Sequence, residues 1–217
     1  MKKVLTIIAM LVLSMALFSC EINMDDKANE VTPIEVSETA QKRGVSWKLN
    51  YLQVKNYCTY PAYNRSLYKH WIDANGDCEN TRTEVLKRDS YYTLGGSCNS
   101  KTGGKWKCPF YCTYHYNKSQ IDIDHFIPLK NAHKTGGCKW SSTTRKNFAN
   151  DLGYYWSLRA TSASANRSKG DRDPVNWLPK SSCMNKCYYS NVWIAVKYRW
   201  GLWVTSTEKA GLQNNCR

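Results

Sequence analysis

The apolar and polar positions divide the chain into a leader, a polar stretch and a patterned remainder. A mainly apolar run from Val4 to Phe18, interrupted only by Thr6 and Ser14, follows Lys2 and Lys3. It is too short for a comfortable membrane span and reads as the core of an export signal over residues 1–19. Residues 20–45 hold no aromatic side chain and read as a flexible tether. Patterned segments begin only after it. Thr81–Asp89 fits a short helix carrying Val85 and Leu86. Ile121–Ile127 starts with apolar–polar alternation and reads as a strand that Pro128 ends. Ser141–Asn150 reads as a helix capped by Ser141 or Ser142, Tyr154–Leu158 as a second strand, and Ser162–Lys169 as another helix. Asn191–Tyr198 is the strongest amphipathic helix pattern. Glycine pairs at 95–96, 103–104 and 136–137 mark turns. The outcome is an α+β chain with irregular loops.

Composition narrows this picture. The 217 residues suffice for one domain, expected over 46–217. With 9 Trp, 15 Tyr and 10 Cys, wholesale disorder is excluded. Beyond the leader no apolar stretch reaches about 18 residues, so a bundle of membrane spans is excluded as well. Trp140, Trp177, Trp193, Trp200 and Trp203 are expected in the core.

Leu17-Phe18-Ser19-Cys20 looks like a bacterial lipobox, which implies cleavage before Cys20 and lipidation of its thiol. The protein is then exported, and lipid-anchored to the cell envelope or secreted. The membrane is touched only through that anchor, and a monomer is expected. Export explains the nine remaining cysteines, which should pair as disulfides and leave at least one thiol over. A structural zinc at Cys108-x-x-x-Cys112 and Cys183-x-x-x-Cys187 is the alternative.

Charge is concentrated in the domain. From residue 44 onward there are 26 Lys and Arg against 11 Asp and Glu, a net of +15, whereas the tether is acidic. That distribution favours a nucleic acid over a lipid surface as partner.

Of four histidines, His125 alone lies beside a carboxylate in a strand about to break, in Asp122-Ile123-Asp124-His125-Phe126-Ile127-Pro128. Imidazole is the natural base near neutral pH, and carboxylate oxygen suits Mg²⁺. His70, His115 and His133 read as surface residues, Asp122 as a solvated strand residue, and Arg82 and Arg88 as partners of Glu84 or Asp89.

Several motifs in fixed order extend the pattern: Asp124-His125-x-x-Pro128, then Trp140 and Arg145, Phe148-Ala149-Asn150-Asp151, Asn166-Arg167-Ser168-Lys169-Gly170-Asp171 and Trp177-Leu178-Pro179. Together they resemble the HNH endonucleases of the GmrSD-like secreted type, within the His-Me finger (ββα-metal) superfamily. The resemblance spans about residues 70–212. It implies a ββα-metal core over about 120–180, surrounded by helices and disulfide-stapled loops. It implies that His125 activates a water against a phosphodiester, while Asp124 and Asn166 hold one divalent cation, Mg²⁺ first, Mn²⁺ or Ca²⁺ as alternatives. Lys169, Arg167 and Arg145 are the basic residues expected nearest the phosphate. The family's central Asn is replaced by Ser157 on this alignment, and Asn150 is the other residue placed to support the histidine loop. The implied activity is hydrolysis of DNA or RNA, or both, with little sequence specificity. The competing reading is a non-catalytic lipoprotein that binds polyanions or host surfaces.

Overall fold

The computed structural model describes residues 44–180 and 182–217. The export signal, Cys20 and the tether up to residue 43 lie outside the described residues. The fold is α+β. In chain order the elements are α1 (Thr81–Asp89), β1 (Trp106–Lys107), β2 (Tyr114–His115), β3 (Ile121–His125), α2 (Leu129–Lys134), α3 (Ser142–Ala149), β4 (Leu158–Ser162), α4 (Ala163–Lys169), α5 (Lys186–Arg199) and α6 (Ser206–Asn214). β1 and β2 form one antiparallel pair, β3 and β4 another. In the second pair Ile121 faces Ser162, Ile123 faces Ala160 and His125 faces Leu158. α4 follows β4 without a loop, because Ser162 caps it by accepting a hydrogen bond from Ala165 N. The chain thus runs strand, long excursion, strand, helix around β3.

Alternation along β3 sets its surroundings. Ile121 and Ile123 join Val85, Leu86, Trp106, Leu158 and Ala160 in a small core beneath α1 and β1. Asp122 and Asp124 turn instead toward α4. The larger core centres on α5, where Tyr189 and Trp193 pack with Phe110, Phe126 and Trp177.

Two expected elements are displaced. The second strand is Leu158–Ser162 rather than Tyr154–Leu158. Asp151 is the cause: its carboxylate accepts from Gly153 N and Ser157 Oγ, which folds the intervening aromatic residues into a turn before pairing starts. The helix expected as amphipathic over Asn191–Tyr198 is longer, and Tyr188, Tyr189, Val192, Trp193, Ile194, Val196 and Lys197 are all buried. A helix apolar on most sides belongs inside. Its Lys197 meets Glu208 of α6 at 2.8 Å, an ion pair with no exposed side chain.

The cysteines pair as Cys58–Cys138, Cys78–Cys98, Cys112–Cys183 and Cys187–Cys216. Cys108 is a free, buried thiol. These bonds overturn the zinc alternative, since three of its four ligands are consumed as disulfides. His133 is not a surface residue either. It is buried, accepting from Tyr68 Oη and donating to Pro61 O. Arg88 behaves as expected and pairs with Asp89 at 2.8 Å.

Candidate functional site

The site is built around the end of β3. His125 retains only 7 % exposure. Its Nε2 lies 2.9 Å from the carbonyl oxygen of Ala149. A carbonyl can only accept, so Nε2 carries the proton and Nδ1 keeps its lone pair. Nδ1 has no hydrogen-bond partner among the described residues. Burial holds the imidazole pKa down to about 3, because the protonated ring would be poorly solvated. The histidine is therefore neutral, with its tautomer fixed.

Its neighbours are aromatic. Trp71 stacks on the ring at 5.6 Å, and Phe148 at 6.4 Å. Trp71 sits in the left-handed region at φ 58°, where a bulky side chain costs of order 1–3 kcal/mol. Asn150 holds that turn from both ends. Its Nδ2 donates to Lys69 O at 2.8 Å, and its Oδ1 accepts from Ile72 N at 3.3 Å and Thr81 Oγ1 at 2.9 Å. Ala149 and Asn150, side by side at the end of α3, thus fix the histidine and the ring above it. Ser157, the other support residue, holds the next position, its carbonyl accepting from Phe126 N at 3.1 Å. His70 stands 6.4 Å from His125, with its Nε2 3.4 Å from Arg65 Nη2.

On the α4 side the acids divide unexpectedly. Lys169 Nζ donates to both oxygens of Asp124, at 2.7 and 2.9 Å, and to His125 O at 2.9 Å. Its side chain is 0 % exposed. Burial pushes the Asp124 carboxyl up and the Lys169 ammonium down, and each opposes the other's shift. Lys169 therefore has no hydrogen left for a phosphate, and Asp124 no oxygen free of it. Asn166 does not meet Asp124. Its Nδ2 donates to Asp122 Oδ2 at 3.1 Å, and Arg167 Nε lies 3.6 Å from the same oxygen. Asp122 is thus no isolated solvated strand residue.

Of the expected phosphate ligands, only Arg167 is open, with its side chain 75 % exposed. Arg145 donates to Trp140 O at 2.6 Å, and its Nε is buried without a partner. Asp122 Oδ1 and the amide oxygen Oδ1 of Asn166 have no partner among the described residues. They are hard donors on adjoining elements and fit an ion that keeps most of its waters. Among the described residues no group of three His, Cys, Asp or Glu could hold a metal, so tight all-protein ligation does not fit.

With a neutral, anchored histidine at the end of a β–β–α unit, comparison with known proteins becomes decisive. Residues 62–214 match the GmrSD restriction endonucleases, C-terminal domain. The chain belongs to this family. The family ties the chain to nucleases, and every residue of the site lies inside the matched span, Arg65, Trp71 and Asn150 included. A relative described as an uncharacterized secreted protein of Arthroderma benhamiae is 39 % identical over 165 residues, 76 % of this chain and 79 % of the relative. No solved structure matches.

Proposed function

We propose that the protein is a metal-dependent endonuclease of the His-Me finger type that acts outside the cytoplasm on DNA, RNA or both. The observation that carries this reading is the hydrogen bond from His125 Nε2 to Ala149 O, which leaves Nδ1 as an unprotonated base. A general base must hold its lone pair at the working pH and be oriented by a second group. His125 meets both conditions. Its Nδ1 takes the proton of a water as that water attacks the phosphorus. Trp71 and Phe148 keep the ring from turning and limit bulk water around it. Arg65, beside His70, and Arg167, beside Asp122, would bind the phosphate. Lys169 acts differently from the role expected of it: it neutralises Asp124 and holds the backbone carbonyl of His125.

Asp122 and Asn166 would hold the divalent cation, with Mg²⁺ the first candidate. When bound it supplies charge stabilisation at the scissile phosphate. Asp124 serves as the buried counter-ion of Lys169 and so sets the frame of the histidine.

Export is supported by the four disulfides and by the secreted relative. Lipidation at Cys20 would keep the domain at the envelope. The net +15 supports recognition through phosphates and hence little base specificity.

The test is incubation of the oxidised domain with supercoiled plasmid and Mg²⁺, with and without EDTA. Nicking that the chelator abolishes supports the proposal. Retardation of the plasmid without a break, across Mg²⁺, Mn²⁺ and Ca²⁺, would leave only a polyanion-binding protein.

A further inference from the structure

A second surface lies on the β1–β2 ribbon. Trp106 points into the core and is fully buried, donating from Nε1 to Leu86 O at 2.8 Å. Side chains alternate along a strand, so Lys105 and Lys107 on either side of Trp106 point to solvent. Across the ribbon Lys107 pairs with Tyr114, and Tyr116 lies two residues further along, on the same face. The loop after α1 completes the patch. Tyr91 N donates to Lys105 O at 2.8 Å, and the loop carries Tyr91 and Tyr92. Four tyrosines therefore surround two lysines.

The distances are close. Lys105 Nζ lies 4.6 Å from the ring centre of Tyr114, 5.3 Å from Tyr92 and 5.8 Å from Tyr116. Lys107 Nζ lies 5.7 Å from Tyr114, and the Tyr91 and Tyr114 rings are 6.1 Å apart. Tyr92 is 55 % exposed and Tyr116 61 %. Neither lysine has a carboxylate partner among the described residues. A contiguous patch of exposed rings beside ammoniums that lack a carboxylate partner marks a binding surface.

We infer that this face binds single-stranded nucleic acid, the tyrosines stacking on bases and Lys105 and Lys107 meeting phosphates. A neutral glycan would use the rings and leave the lysines idle. A duplex would use the lysines and leave the rings idle, since its bases are already stacked. Only an unpaired polyanionic strand engages both. The inference rests on the nuclease reading and deepens it: the substrate is engaged as an unpaired strand by residues other than those around the histidine.

The test is binding rather than cleavage, by fluorescence anisotropy in EDTA. The probe is an oligo-dT of about 20 nucleotides, longer than the ~4–16 that such surfaces cover. Tyr92→Ala, Tyr114→Ala and Tyr116→Ala should each weaken it roughly tenfold, while the Tyr→Phe forms keep affinity. Lys105→Ala should lower the slope of affinity against salt by about one. Affinity for a duplex of equal length should change less than about twofold in the tyrosine variants. Should Tyr114→Ala not fold, Tyr116→Ala carries the test, being the most exposed ring of the four. Unchanged dT affinity in these variants overturns the inference, and so does a parallel loss for duplex or for a sulfated polysaccharide. Tyrosine-dependent dT binding by a protein that cleaves nothing would keep the surface and retire the enzyme. Cleavage with unaltered dT binding in the variants would do the reverse.

Discussion

The carbonyl oxygen of Ala149 accepts the Nε2 proton of His125 at 2.9 Å, and so decides which nitrogen is left to act. His125 ends β3, Ala149 ends α3 within the long excursion between β3 and β4, and Asn150 ties that helix end to residues 69 and 72. The catalytic proposal depends on this link more than on any charge.

The link has a consequence for pH. An imidazole held down to about 3 stays unprotonated well below the 6.5 of a free histidine. The profile of kcat/KM should show no acid limb centred near 6.5, and activity at pH 5 should remain a large fraction of that at pH 7. Stability runs the other way. Between pH about 3 and 6.5 the unfolded chain binds a proton at this ring that the folded chain does not, so the fold weakens as pH falls through that window. Thermal melts of wild type and His125→Gln across that range measure the term, and the variant should lose less stability on acidification. Equal losses would show that the ring contributes nothing.

Lys169 and Asp124 make the second prediction. Lys169→Met leaves a buried carboxylate without its partner, which costs about 3–5 kcal/mol. Urea unfolding of the oxidised protein should show it. Lys169→Met combined with Asp124→Leu removes both charges and should recover much of the loss. A single variant as stable as wild type would mean that the ammonium is not needed for the frame.

Asp122 and Asp124 should then separate by function. Asp122→Asn should raise the Mg²⁺ concentration needed for half-maximal cleavage, about tenfold or more for loss of a charged oxygen ligand, with the melting temperature nearly unchanged. Asp124→Asn should chiefly lower the melting temperature. The opposite pattern would return the ion to Asp124 and require Lys169 to withdraw.

Much of this was legible in the residues. The alternation at Ile121 and the break at Pro128 predicted β3, and Ser162 predicted the start of α4 within a residue. Those signals are local. What failed to show was mostly non-local. Lys169 reads as a phosphate-facing cation in the last turn of a helix until β3 is packed against it. Trp71 carries no mark of its left-handed backbone, because Asn150, far along the chain, imposes it. The β4 boundary was hidden for a different, local reason: Asp151 draws four aromatic and polar residues into a turn that their strand propensity opposes. Asp122 had a signal that could have been used: it sits two residues before Asp124 and must share its face.

The central claim is that His125 is the base of a phosphodiester hydrolysis. The most direct measurement is the initial rate of plasmid nicking by wild type and His125→Ala, with the disulfides intact and folding verified by circular dichroism. The account predicts a fall of about 10²–10⁴-fold with the fold retained. A folded His125→Ala protein nicking plasmid at the wild-type rate would contradict it.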